Sequence, residues 1–115
     1  MSPLPLDNAD LPLFTVGQVA SMLEIQQAFL RRLDDHQVVR PSRSGGGQRR
    51  YTRNEITVVQ YVVQLVDEGM TLNAIRRVLR LESLVRELEA ERDALRAALA
   101  EQGARLAELR ADRRK

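Results

Sequence analysis

The chain has 115 residues, a formal net charge of +2, no cysteine and one histidine. That length permits one small core and favours self-association, while the missing thiols and the lone imidazole exclude a disulfide framework and a cysteine- or histidine-based metal site, so no cofactor is expected. No stretch approaches the roughly 20 apolar residues of a membrane span, and the first residues lack the basic start and apolar core of an export signal, so a cytoplasmic protein is expected.

Residues 1–12, with Pro3, Pro5 and Pro12, are expected to form an extended, disordered arm. Structure should begin at Thr15, an N-cap with Gln18 three residues on, followed by an apolar stripe of Val16, Val19, Ala20 and Leu23 at helical spacing. A break near Glu24 and Ile25 leads to a second, short helix over QQAFLRRLDDHQ, which places Phe29, Leu30 and Leu33 inward and leaves Gln27, Arg31 and Arg32 on a polar face.

The next stretch poses the main question. In SRSGGGQRRY, residues 42–51, three glycines lie among three arginines and a tyrosine closes the run. Arg40 precedes Pro41 and is pushed toward extended backbone, and Arg49, Arg50 and Tyr51 resume an extended run after the glycines. The reading is a two-stranded wing whose tip, at glycines 45 to 47, can adopt positive φ and approach a phosphate closely. Residues 31–53 hold seven arginines against Asp34 and Asp35, a local charge of +5, whereas beyond Arg80 eight basic and eight acidic residues cancel. Arg43, Arg49 and Arg50 are thus candidates for charge-assisted contacts with a polyanion. Asp34 and Asp35 have nothing nucleophilic or metal-binding near them in sequence and read as structural, and His36 reads as a solvated residue near a helix end.

Thr52 and Glu55 form a second capping box, opening a helix that buries Ile56, Val59, Val62, Val63 and Val66 and stops at Gly69. Thr71 is the next N-cap, and Leu72, Ile75, Val78 and Leu79 begin a helix that continues through the charged stretch. Leu81, Leu88, Leu95 and Leu109 recur at sevens or multiples of seven, with Leu84, Val85, Leu99 and Leu106 beside them, an imperfect heptad seam. A homodimer through a coiled coil over residues 80–102 is expected, carried by Leu81, Leu84, Leu88, Leu95 and Leu99, with residues 103–115 a frayed basic tail.

The segments FTVGQVASML, LRRLDDHQVVRPSR, GQRRY and EGMTLNAIRRVL resemble the MerR family of transcription regulators, over residues 13 to about 80, and the glycine loop with a short coil is most similar to its heat-shock-repressor branch. The resemblance implies a mainly α fold, a winged helix-turn-helix DNA-binding domain over 13–79 followed by a dimerising coiled-coil helix. It implies that helix two enters the major groove of double-stranded DNA with the wing against the flanking backbone. Arg31 matches the family's recognition-helix arginine, Arg32 follows it, and with helix two in the groove Gln26 and Gln27 could reach adenine edges from its start. Tyr51 matches the tyrosine that closes the wing, where its hydroxyl can meet a phosphate, and it reads equally as a plain core tyrosine. The chain departs from the family at Phe29, Leu33 and Gln37, where a threonine, an aromatic and a glycine are usual, and at the turn, where Glu24 and Gln26 stand in place of a small polar cap.

The function expected is a sequence-specific transcriptional regulator, not an enzyme, acting as a homodimer on a pseudopalindromic operator and distorting the promoter, with a protein co-regulator as a possible further partner. The other reading is a coiled-coil architectural or adaptor protein that binds DNA with low specificity.

Overall fold

Capping chemistry sets the helix starts in a computed structural model that describes residues 8–43 and 47–114. Helix α1 (Val16–Leu23) opens on Thr15, whose hydroxyl accepts from the Gln18 amide at 3.1 Å while the Gln18 side chain accepts from the Thr15 amide at 2.9 Å. Two of the four unpaired N–H groups that every helix start presents are thereby satisfied reciprocally. Helix α3 (Arg53–Asp67) repeats the device with Thr52 and Glu55, at 3.0 and 2.8 Å. Between them lies α2 (Gln27–Asp35), and Thr71 caps α4 (Leu72–Arg113) by accepting from the Ala74 amide at 3.2 Å. Gly69, at φ 93°, ends the turn after α3 in left-handed backbone, and the Met70 amide closes back onto the Leu65 carbonyl at 3.1 Å.

Three short strands join these helices: β1 (Phe14–Thr15), β2 (Ser42–Arg43) and β3 (Arg49–Tyr51). All pairings are antiparallel and the order is β1-β3-β2, with Phe14 opposite Tyr51, Thr15 opposite Arg50, Ser42 opposite Arg50 and Arg43 opposite Arg49. The expected two-stranded wing is therefore a three-stranded sheet. Phe14 and Thr15 sit just ahead of α1 and are too short to show strand periodicity, so this pairing could not be read locally.

The chain divides into a unit Met1–Leu79 and a unit Arg80–Lys115. The first is built around Val19, Leu30, Leu33, Tyr51, Val59, Val62 and Ile75, each at most 1 % exposed. Each large aliphatic removed from water in this way contributes about 1.5–3 kcal/mol. On α3 the buried row is Ile56, Val59, Val62 and Leu65, while Val63 and Val66 are only partly covered; Leu65 was not anticipated.

The expectation of a disordered arm is corrected where it can be examined. The amide of Asn54 donates to the Ala9 carbonyl at 3.2 Å and its side chain donates to Asp10 Oδ1 at 2.6 Å, tying the chain ahead of β1 to the first turn of α3. Residues 1–7 lie outside the described residues, as do Ser44, Gly45, Gly46 and Lys115.

The expectation of a frayed segment from residue 103 is also corrected, because α4 runs helical through Gly103 to Arg113. One helical glycine costs about 1 kcal/mol, and Arg105 pairs with Glu101 at 3.1 Å across it in the favourable i,i+4 arrangement. None of the helices among the described residues is long and apolar enough to cross a membrane.

Candidate nucleic-acid interface

Helix α2 is amphipathic in a way that fixes what each of its side chains can do. Leu30 and Leu33 are fully buried, so at 100° per residue the opposite face is centred on Ala28 and Asp35. Arg31 and Gln27 flank that centre on one side, and Arg32 flanks it on the other. All three are exposed. Arg32 borders an open depression of about 380 Å³ whose wall includes Ile25, Phe29, Val63 and Val66. Gln27 begins the helix, with its amide nitrogen over α1: a Cβ placed on Gly17 would meet Gln27 Nε2 at 3.5 Å. Gln26, the N-cap, is exposed and makes no side-chain capping bond.

The backbone at both ends of α2 shows what replaces the usual turn residues. Glu24 closes α1 at φ 55°, and Gln37 follows α2 at φ 59°. Both are left-handed, a region where a side chain costs about 1–2 kcal/mol. The short α1–α2 turn is held in addition by the Ile25 amide, which donates to the Ala20 carbonyl at 3.0 Å. At the far end Arg76 of α4 donates to the His36 carbonyl at 3.4 Å.

An ion pair joins the wing to α2. Arg49 Nε lies 3.3 Å from Asp34 Oδ2, with the two side chains 32 % and 15 % exposed. Arg49 is thus not the free cation expected from the sequence: its guanidinium turns inward, on the strand face shared with Tyr51, while the alternate residue Arg50 turns the other way and donates to Gln48 Oε1 at 3.4 Å. Arg43, exposed on β2, donates to the Gly47 carbonyl at 3.3 Å and braces the hairpin, and Gly47 itself takes φ 81°. That positive φ is as expected for the tip, whereas the same expectation for Gly45 and Gly46 falls outside the described residues.

Of the two readings of Tyr51, a phosphate contact and a core residue, its burial favours the core residue. It is 1 % exposed, between β1 and the core. Burial pushes its phenol up to about 12, the Asp34 carboxylate pushes the same way, the Arg49 guanidinium opposes them, and Glu55 adds a smaller upward push. The hydroxyl therefore stays protonated at neutral pH. No residue signal in the sequence distinguished this from an exposed tyrosine, since an alternating strand offers either face.

In the second unit, Leu81, Leu84, Leu88, Leu95 and Leu99 are 48–67 % exposed in the single chain, and Val85, Leu106 and Leu109 are similarly bare. Among the described residues there is no group of three or more His, Cys, Asp or Glu side chains placed to hold a metal ion.

The profile described as MerR HTH family regulatory protein matches residues 14–82. The chain is 36 % identical over 91 residues to a Streptomyces coelicolor protein described as heat shock protein HspR, covering 78 % of this chain and 60 % of that one. It is 26 % identical over 76 residues to the HTH-type transcriptional regulator GlnR of Bacillus cereus, covering 66 % and 59 %. The chain thus spans about 60 % of the length of these curated relatives. Among solved structures, a MerR-family transcriptional regulator from Bacillus cereus superposes with a TM-score of 0.55 at 25 % identity over 84 % of this chain and 73 % of that one. HiNmlR, a MerR-family regulator lacking the sensor domain and bound to promoter DNA, gives a TM-score of 0.56 at 21 % identity over 86 % of each chain, a likeness of fold.

Proposed function

The chain belongs to the MerR family of helix-turn-helix regulatory proteins, and from that premise we propose that it is a sequence-specific, DNA-binding transcriptional regulator that works as a homodimer on a pseudopalindromic operator. The observation that carries this reading is the outward face of α2, where Gln27, Arg31 and Arg32 surround the small Ala28 beside a wing bearing Arg43 and Arg50. A helix with a low centre and long donors on its flanks fits the major groove, where arginine pairs with guanine and glutamine with adenine. Arg43 and Arg50 then hold phosphates and fix register without reading sequence. Gln26 is placed at the helix start, where it can add a contact to either backbone or base.

The bare leucine seam of α4 supplies the dimer. Two copies paired antiparallel over residues 80–102, about 22 residues at 1.5 Å each, set the reading units about 33 Å apart, close to one turn of B-DNA. Binding both half-sites at once distorts the promoter wherever their natural spacing differs from that span.

Selection of bound sequences from a random duplex pool tests the reading. A two-fold-symmetric consensus with half-sites one turn apart is expected. Enrichment of no sequence, with affinity set by salt alone, would leave the low-specificity architectural role instead.

A further inference from the structure

An acid stands in the middle of the basic window, and its position gives it a task. Gln27, Arg31 and Asp34 follow one another at i, i+4 and i+7 along one edge of α2, a single stripe on the helix surface. A carboxylate on the stripe meant to face phosphates weakens attraction unless its charge is already used. It is used, by Arg49 at 3.3 Å, in a pair with Asp34 only 15 % exposed.

The wing needs that carboxylate. Arg43 and Arg49 lie directly opposite each other on β2 and β3, and like charges facing each other across strands are disfavoured. Asp34 neutralises one of the two, and Arg43 is turned to the Gly47 carbonyl at the hairpin tip. The outcome is a division of labour among the three wing cations. Arg49 is spent inward, Arg43 is exposed, and Arg50, partly covered, turns to the opposite face.

We propose that Asp34 is a positioning residue: by holding Arg49 it withholds that cation from DNA phosphate and fixes the wing against α2, so that the wing cations and the base-facing side chains of α2 keep one register. The proposal rests on the reading that α2 and the wing face DNA. A phosphate approaching Arg49 meets a guanidinium whose charge Asp34 already compensates at 3.3 Å, with that carboxylate repelling the polyanion from beside it. Arg49 accordingly adds nothing to the count of phosphates neutralised. Its effect is on preference, because a hairpin end held less firmly against α2 meets several registers more nearly equally.

The full-length chain is titrated against the selected operator and a scrambled duplex at three or more salt concentrations, with circular dichroism reporting folding. Asp34→Asn frees Arg49, so the plot of log K against log salt should steepen by roughly one unit per subunit, scrambled duplex should bind roughly threefold to tenfold tighter at low salt, and the operator preference should narrow. Arg49→Gln should leave the slope at the wild-type value and also narrow the preference. The double substitution Asp34→Asn with Arg49→Gln, which keeps the net charge, should restore the wild-type slope without restoring the preference, whereas Asp34→Glu should retain both. A flattened slope in Arg49→Gln, with no steepening in Asp34→Asn, would show Arg49 already on a phosphate and overturn the proposal. If Asp34→Asn fails to fold, the slope of Arg49→Gln decides alone, unchanged for the proposal and flattened against it. Loss of preference in the wild type would instead remove the sequence-specific reading, while the slopes still decide whether Arg49 is withheld.

Discussion

Glu24 and Gln37 bracket α2 with the same backbone conformation, left-handed at φ 55° and 59°. Each is a non-glycine residue held where glycine is favoured, and the cost of about 1–2 kcal/mol at each position is met by the packing of Leu30 and Leu33 between them. Gln37→Gly should therefore raise stability, by about 0.5–1 kcal/mol once the greater freedom of glycine in the unfolded chain is deducted. Gln37→Val should lower it. Urea unfolding of the two variants checks this, and a Gln37→Gly protein no more stable than wild type would mean that the strain is relieved elsewhere.

The leucine seam gives a second expectation. On the proposed dimer, Leu88→Glu together with Leu95→Glu should leave a monomer, because each large apolar side chain that pairing would bury is worth about 1.5–3 kcal/mol and a carboxylate cannot take its place. Both leucines are more than half exposed in the single chain, so the fold of residues 8–79 should survive. Sedimentation that still finds a dimer would move the interface off this seam.

Arg31 should read and not merely hold. Arg31→Ala is expected to lose roughly 1–3 kcal/mol chiefly on the selected operator and to relax the preference at one symmetric position. Competition titrations with operators altered one base pair at a time give the answer. An unchanged preference takes Arg31 out of the reading set.

Tyr51 makes stability fall at high pH. Its folded-state pKa of about 12 lies above the ordinary 10.0, so the folded chain holds a proton that the unfolded chain loses between those values. The contribution is complete below pH 10 and is lost as pH rises toward 12. Relative to Tyr51→Phe, wild type should lose stability across that interval, and parallel curves would contradict the assignment. Tyr61 is common to both proteins and cancels.

Removing a cap should cost what one does elsewhere. Thr52→Ala abolishes the hydroxyl that accepts from the Glu55 amide at 3.0 Å and should destabilise by about 1 kcal/mol, seen as a lowered Tm. A cost near zero would mean that the Glu55 side chain carries the helix start by itself.

The parts of the fold legible in the sequence are those settled within four residues of chain. Thr15 with Gln18, Thr52 with Glu55, and Gly69 with Thr71 announce their helix boundaries because the bonds they make are local. The pairing of Phe14 with Tyr51 spans more than thirty residues, and that of Asp34 with Arg49 joins a helix to a strand. Neither leaves a periodic trace. The candidate site divides in the same way: the outward placing of Arg31 and Arg32 follows from the leucines on the opposite face of α2, whereas the burial of Tyr51 and the capture of Arg49 depend on which way a three-residue strand is turned. The expected fraying of residues 103–115 did not allow for neighbours of Gly103 that form a helix strongly enough to carry it.

The order β1-β3-β2 also bears on how the protein behaves when it is crowded. The strand that carries Arg49 and Arg50 is the inner one, bonded on both sides, and the two outer strands are two residues long. An exposed sheet edge is a template on which other chains can add strands and aggregate, and shortness is one of the ways a protein blunts it. Among the described residues each outer strand is only two residues long. Short rims of this kind disfavour fusion of neighbouring copies into a common sheet.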